Sequence, residues 1–355
     1  MDYAGKKVVV ALSGGVDSTA AALLAKAAGC QVIGATLDLA PAEPEWKCAW
    51  GCGSEDEKLI RTVADKLEIE HTFINAAAEF EELVLKNCYE VYSSGRTPNP
   101  CVLCNPAIKF GLLAKYARSI GAEALLTGHY AKFSSEKLIV RGDDPKKDQS
   151  YFLYRLPREL LDFIQFPVGS LQKNQVRAMV AEAGLPVAHR PDSQDACFVF
   201  PGESFAETLF RRFNGKSRSG NFIYQGKVVG RHAGLHRCTV GQRKGLNVAL
   251  GVPAYVKSID NTSGDIELVT DQNLLACQKF YINQVNFQTP ILPDPSEELL
   301  IQIRYRTPAA AGRVIPQGDG SFVVELNEPQ RAVTPGQSAV IYRGNTLLGG
   351  GIIGL

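Results

Sequence analysis

No stretch of the 355-residue chain approaches the roughly 18 consecutive apolar residues of a membrane-spanning helix, so no helical span is expected. The apolar run that opens at Val8 is too short for a secretory h-region, which predicts a cytoplasmic protein with no membrane partner. Charge of one sign is lacking too. Lys plus Arg number 38 and Asp plus Glu 37, so overall charge names no partner. The 9 cysteines are too few and too irregularly spaced for a disulfide framework; they are expected to stay thiols unless they ligate metal or react. Internal repeats and low-complexity tracts are absent. With 45% hydrophobic and 21% charged residues, the composition argues against a disordered chain.

What is present is unevenly distributed. Residues 41–90 carry 12 acids and 5 bases, whereas residues 200–245 carry 9 bases against Glu203 and Glu207. A basic stretch of that kind suits a polyanion, although a solvated face of scattered charge would look the same. The length predicts two or three domains. In the first half, apolar runs at Lys7–Leu12, Val32–Leu37, His71–Asn75 and Ala124–Thr127 read as strands. Helical patterns separate them: Ser18–Ala28, Ser54–Leu67, Ala78–Ser94 and Ala107–Ile120. Such alternation predicts an α/β fold with a parallel sheet. From about residue 205, short alternating segments between dense glycines (Asn221–Tyr224, Val252–Ile259, Asp265–Val269, Lys279–Val285, Leu299–Tyr305, Phe322–Leu326, Ala339–Tyr342 and Thr346–Ile352) predict a small β-rich domain and then a C-terminal β-barrel. The expected boundaries are 1–204, 205–270 and 271–355.

Three motifs carry chemistry. Ser13-Gly14-Gly15-Val16-Asp17-Ser18 lies between the first strand and the first helix. Its glycines let backbone N–H groups approach phosphate, and the helix N-terminus adds its positive end. No Walker lysine follows, so γ-phosphate transfer is disfavoured. The second, Arg96-Thr97-Pro98-Asn99-Pro100-Cys101-Val102-Leu103-Cys104-Asn105, reads as an extended loop stiffened by prolines; its Cys-x-x-Cys is compatible with zinc, an iron–sulfur cluster, a redox dithiol or nothing. The third, His189-Arg190-Pro191-Asp192-Ser193-Gln194-Asp195-Ala196-Cys197-Phe198, is a polar loop ending in a cysteine. Cys48 and Cys52 have a spacing loose enough for metal, while Cys30, Cys88, Cys238 and Cys277 read as small core or surface residues. His232 and His236 fall in the basic stretch, where they could meet phosphate, but solvated surface is the expected placement.

The glycine motif resembles the pyrophosphate loop of the adenylating ATP pyrophosphatases. Together with Thr127-Gly128-His129-Tyr130-Ala131, Lys147-Asp148-Gln149-Ser150, Thr239-Val240-Gly241-Gln242-Arg243-Lys244, Arg304-Tyr305-Arg306 and Pro335-Gly336-Gln337, the chain resembles the tRNA-specific 2-thiouridylases nearly end to end. The resemblance implies that ATP, with Mg²⁺, adenylates the C2 oxygen of the wobble uridine in a tRNA anticodon loop, and that sulfur then displaces AMP. Ala11, Leu12, Ser13, Gly14, Gly15, Val16, Asp17 and Ser18 would hold ATP with Leu37 and Gly128, Asp17 assisting Mg²⁺ and pyrophosphate departure. Asn99, Pro100 and Cys101 would line the target base. His129, Lys147, Asp148, Gln149, Arg304, Tyr305 and Gln337 would contact tRNA. Cys197 would carry sulfur as a persulfide from a relay protein, with Cys104 as the partner nucleophile.

One position departs from the family pattern: Cys101 stands where the family usually has aspartate. This puts the usual disulfide-resolving route in doubt and supplies a third thiol. Three readings follow: Cys101, Cys104 and Cys197 together hold a 4Fe-4S cluster with one iron open to sulfide; Cys101 is a tolerated replacement of aspartate, with the Cys197 persulfide and Cys104 working as usual; or the three thiols, alone or with Cys48 or Cys52, hold zinc. Two rival functions remain at this point. One is a pyrophosphate-loop enzyme acting on a small molecule, for which neither an ammonia-source domain nor an amino-acid site is visible. The other is a tRNA-binding protein without catalysis, which the intact glycine loop and the cysteines oppose.

Overall fold

In a computed structural model of the chain, residues 3–43, 45–46, 54–191 and 198–354 are described. They fall into two compact units: residues 1–83, 101–201 and 345–348, and residues 84–100, 202–344 and 349–355.

The first unit is built on β1 (Lys7–Ala11), β2 (Gln31–Asp38), β3 (Glu70–Asn75) and β4 (Ala124–Leu126). A short hairpin, β5 (Ala131–Phe133) and β6 (Ile139–Arg141), precedes β7 (Ile164–Gln165). The sheet runs in the order β3-β2-β1-β4-β7, and the pairings are parallel, with Val9 opposite both Ile33 and Leu125. Val8, Val9 and Val10 have no exposed surface, as a central strand covered on both faces requires. Helix α1 (Val16–Ala27) presents Ala20, Ala21, Ala22 and Ala25 to this core, all fully buried, and small side chains bring its axis close to the sheet. Because β1 has β2 on one side and β4 on the other, the strand order reverses there. The loops leaving the carboxyl ends of β1 and β4 flank the crevice where open α/β sheets bind ligands.

The parallel sheet, the α/β class and the four strands expected in the first half agree with the sequence reading, while the short β5, β6 and β7 are additional. Three further features differ. The segment from Pro100 to Cys104 is helical, not extended. Pro at the first helical position lacks an N–H that the turn does not need, so it starts a helix instead of forbidding one. Pro106 falls nearly two turns later, where its missing N–H breaks the regular ladder. The chain responds with a π-helical turn over Asn105–Lys109 before resuming α-helix at Phe110–Ser119. A similar π turn, Glu81–Leu85, interrupts the predicted helix between Ala77–Phe80 and Lys86–Ser93. Lastly, the helices Lys173–Glu182 and Phe205–Arg212 are additional to those expected.

The second unit contains a four-stranded sheet and a barrel. The sheet comprises β8 (Gly220–Tyr224), β9 (Lys227–His232), β10 (Tyr255–Ile259) and β11 (Ile266–Val269), in the order β10-β11-β8-β9, around Phe222, Leu235, Val256, Ile266 and Leu268. The barrel uses β12 (Ala276–Phe287), β13 (Leu299–Gln302), β14 (Ala310–Pro316), β15 (Phe322–Arg331), β16 (Ser338–Arg343) and, from Gly349 on, β17 (Thr346–Ile353). It closes where β12 pairs with β17, Ile282 facing Ile353 and Phe287 facing Gly349. The helix Lys86–Ser93 belongs to this unit, Tyr89 meeting the rings of Phe210 and Phe213. Among the described residues no helix is long and apolar enough to cross a membrane.

His232 and His236 are a correction. They are 7% and 5% exposed, not solvated. His236 stacks on Phe210 at 3.8 Å between ring centroids, and His232 Nε2 lies 2.9 Å from the Gly264 carbonyl oxygen. Aromatic packing explains their burial in a segment whose composition is otherwise basic.

Candidate active site

The glycine loop leaves β1 and turns into α1. Gly14 sits at φ +71°, a left-handed conformation that glycine adopts without steric cost, and a Cβ there would come within 2.8 Å of Ile60. Ser18 is buried and ties the loop to itself: its hydroxyl accepts from Ser13 N–H at 3.1 Å and donates to Gly15 O at 3.1 Å. Thr19 Oγ1 donates to the same carbonyl at 2.9 Å. Leu12 and Val16 are 1% and 4% exposed, so their side chains stay in the core; Leu12 N–H donates to Ala35 O at 2.9 Å, and it is Val16 that can serve a ligand through its backbone. Leu37, near the end of β2, is half-buried.

Gly128 stands against the loop from the β4 side. A Cβ at this position would lie 2.5 Å from the Asp17 carbonyl carbon and 2.6 Å from Ser18 N, so no other residue fits without moving the loop. The next residues organise Asp17. Tyr130 OH donates to Asp17 Oδ1 at 2.9 Å, and Lys173 Nζ lies 2.6 and 2.8 Å from the two carboxylate oxygens. Tyr130 is itself clamped, its N–H donating to Gln149 Oε1 at 3.0 Å while Gln149 N–H donates back to Tyr130 O at 2.9 Å. Arg190 approaches from the third motif, donating to Gly14 O at 3.2 Å and to Asp56 at 2.6 Å.

His129 packs between Phe110 and Phe166, with Thr127 Oγ1 2.9 Å from its Nδ1. Desolvation, and secondly the nearby Lys109 charge, push its pKa down to about 3. The ring is therefore neutral near pH 7 and offers a hydrogen bond, not a charge. Asp148 is buried and accepts from Arg141, Gly142 N–H, Ser150 N–H and Ser150 Oγ. Lys147 is half-buried.

Cys101 and Cys104 occupy one helical turn, three residues apart, which puts them on neighbouring parts of one face. Cys104 is 4% exposed and Cys101 half-buried. Cys197, with the stretch Asp192–Cys197, and Cys48 and Cys52 lie outside the described residues. Among the described residues no group of three His, Cys, Asp or Glu side chains is placed to hold a metal ion. Cys88 and Cys238 are buried, in keeping with a packing role.

In the second unit, two of the remaining motifs meet Thr97 and Pro98. Gln337 Nε2 donates to Thr97 O at 3.0 Å and Pro98 O at 2.9 Å, and Thr97 Oγ1 lies 3.0 Å from Thr239 Oγ1. Gly336, at φ +90°, would place a Cβ 2.8 Å from Thr97 O. Arg304 donates to Val240 O at 2.9 Å and also to Thr334 Oγ1. Tyr305 O accepts from Gln302 at 2.6 Å.

Lys173, Asp56 and the clamping role of Gln149 escaped the sequence reading, as did Tyr130 and Arg190 as individual partners of the loop. The signal that could have found Lys173 was Gln172-x-x-Gln175 before Val176, Met179 and Val180, a capping box opening an amphipathic helix.

Comparison with known proteins places these features. Residues 6–201 match the model described as tRNA methyl transferase HUP domain, residues 209–270 its PRC-barrel domain and residues 277–353 the aminomethyltransferase beta-barrel domain. A tRNA-specific 2-thiouridylase MnmA from Geotalea uraniireducens is 40% identical over 98% of this chain and 95% of that protein. The chain belongs to the tRNA-specific 2-thiouridylase family. Relatives of the same name from Treponema denticola and Moorella thermoacetica are 39% and 40% identical, covering 98% and 97% of this chain and 97% and 98% of their own lengths. Among solved structures, a 4-thiouridine synthetase–RNA complex with bound ATP is 16% identical, with a TM-score of 0.36 over 59% of this chain and 50% of that one.

Proposed function

We propose that this 2-thiouridylase uses ATP to replace the C2 oxygen of the wobble uridine in a tRNA anticodon loop by sulfur. The carrying observation is the glycine loop with Asp17 beside it, in a chain that matches the family over almost its whole length. Uracil's C2 oxygen is a poor leaving group. Its attack on the α-phosphorus of ATP expels pyrophosphate and leaves an O-adenylated base, from which a sulfur nucleophile displaces AMP at C2. Ala11 to Ser18, Leu37 and Gly128 would hold the nucleotide. A flipped base is reached cheaply in a single-stranded loop. The three expected regions, 1–204, 205–270 and 271–355, divide into ATP chemistry and tRNA grip.

Asp17 suits Mg²⁺: it is a part-exposed carboxylate already attracting a cation, and Mg²⁺ asks for one or two carboxylates with the substrate's phosphates. Bound there, Mg²⁺ would offset phosphate charge. Asn99, Pro100, Cys101, His129, Lys147, Asp148, Gln149, Arg304, Tyr305 and Gln337 would contact tRNA; Asp148, Gln149, Arg304 and Gln337 would also shape what surrounds them through their bonds within the protein.

Two thiols on one helical turn, one buried and one half-buried, fit two corners of an iron–sulfur cluster, and Cys197 would complete the three. A 4Fe-4S cluster so held would supply iron able to take sulfide and offer it for transfer. The donor is then sulfide and not a relay protein's persulfide. A persulfide on Cys197 with Cys104 as nucleophile needs no Cys101, so Cys101→Ala separates the routes.

The test is pyrophosphate release and thiolation by anaerobically reconstituted protein, with tRNA present or absent and sulfide as the only donor. We expect release that depends on tRNA. Release without tRNA points to a small-molecule substrate, and tRNA binding without release to a non-catalytic protein. Wild type that binds no iron, with Cys101→Ala fully active, overturns the cluster.

A further inference from the structure

Resting on the adenylation reading above, we propose that Lys173 is a catalytic residue for pyrophosphate departure: its ammonium donates to the pyrophosphate oxygens as they leave the glycine loop. Lys173 is far along the chain from Ser13–Ser18, yet its Nζ touches both oxygens of Asp17, inside the loop motif. Its placement is determined from several sides. The backbone N–H of Lys173 donates to the buried Asp144 carboxylate at 3.0 Å, fixing the start of helix Lys173–Glu182. The Gln172–Gln175 capping box fixes it again. Tyr130 stands under the ammonium, 5.9 Å from Nζ to the ring centroid, and holds the same carboxylate with its hydroxyl.

Stability alone is a weak reason for such a pair. The Lys173 side chain is 12% exposed, and the desolvation of an ion pair so shielded offsets much of its Coulombic gain. A cation held there makes better sense where charge appears during the reaction. As the C2 oxygen bonds to the α-phosphorus, the bond from α-phosphorus to its bridging oxygen breaks, and the electron pair goes to pyrophosphate. The leaving group gains negative charge beside the loop, within reach of a pre-oriented ammonium, and donors aimed at developing charge lower the barrier. Asp17 keeps the lysine charged and aimed at the loop until the nucleotide arrives with Mg²⁺; the carboxylate then turns to the metal and leaves the ammonium to the phosphates.

The experiment compares wild type, Lys173→Met and Lys173→Arg in the full chain, by calorimetric binding of magnesium pyrophosphate and, separately, of AMP, alongside melting temperature and tRNA-dependent pyrophosphate release. We expect Lys173→Met to weaken pyrophosphate binding at least tenfold and slow release at least a hundredfold, while AMP affinity changes less than twofold. Lys173→Arg should recover part of the pyrophosphate affinity, which a purely structural role would not predict. Unchanged pyrophosphate affinity overturns the proposal, and so does parallel loss of AMP and pyrophosphate in both variants. Absence of tRNA-dependent release in wild type would instead overturn the functional reading, and the pyrophosphate comparison would still decide the role of Lys173.

Discussion

Asp17 and Asp148 lie in the same unit and each holds a cation, but they hold it in different ways. Asp148, with its side chain 8% exposed, accepts from Arg141 and from the neighbouring Gly142 and Ser150 backbones, so its bonds are made by the chain around it. Asp17, 33% exposed, is held by two long side chains that reach it from elsewhere in the sequence, Tyr130 and Lys173. Backbone partners cannot let go without unfolding the turn; side-chain partners can exchange for a ligand. Geometry therefore separates an aspartate that builds the fold from one that is available to chemistry. Both sit in motifs of the family, so motif membership alone does not.

The sharpest way to break this comparison is to remove the Asp17 charge and keep its shape. Asp17→Asn should lower tRNA-dependent pyrophosphate release by at least ~10³, about 4 kcal/mol in barrier. Its melting temperature should stay near that of wild type. Activity within tenfold of wild type would mean that Asp17 is structural after all. Asp148→Ala should do the reverse. Removing one partner of a buried pair costs about 3 kcal/mol or more, readable in chemical denaturation. Release per folded molecule should be nearly unchanged. An Asp148→Ala protein with normal stability and impaired release would erase the distinction.

Much of this was legible in the sequence, for physical reasons. The parallel sheet was, since Val8–Val10 must be buried on both faces and read as a continuous apolar run. The glycine loop was, because its backbone conformation restricts the residues allowed. The Pro100–Cys104 helix was misread because proline signals both loops and helix starts, and nothing in Asn-Pro-Cys chooses between them. Strands β9 and β14 were missed because each carries a glycine and an arginine among its apolar residues. Lys173 was invisible as a partner of Asp17: a long-range ion pair leaves no periodicity, and only the fold shows it.

The same contrast applies to the basic stretch. Arg211 and Arg237 pair with Glu203 and Glu207, and Arg218 donates to the Asn261 and Thr262 carbonyls, so these three are committed within the protein. Lys216, Lys227, Arg231, Arg243 and Lys244 are exposed and have no such partner among the described residues. Changing those five together to glutamine should weaken tRNA binding tenfold or more. It should also flatten the salt dependence by roughly 0.7–0.9 in slope for each phosphate no longer neutralised. Changing Arg211, Arg218 and Arg237 should lower the melting temperature and leave the slope near wild type. Equal slopes from both sets would show that commitment to internal partners does not sort these cations.

The smallest effect comes from the histidines that the fold has taken out of water. Burial, and then the Arg237 charge, push the His236 pKa down to about 4, from 6.5 in the unfolded chain. Below pH 6.5 the unfolded state takes up a proton that the stacked ring refuses. The stability that His236 contributes is therefore complete above pH 6.5, and it declines as pH falls toward 4. At pH 5.5 the loss is about 1 kcal/mol. His129, pushed down to about 3, contributes in the same direction over the same upper range. Substituting His236→Phe keeps an aromatic ring against Phe210 and removes the titration, so stability between pH 7.5 and 5.5 should fall less than in wild type, whatever the variant's absolute stability. Denaturation curves at the two pH values measure the difference. Equal losses in both proteins would mean that His236 takes up its proton in the folded state, and the buried ring would then belong with the groups that remain open to exchange.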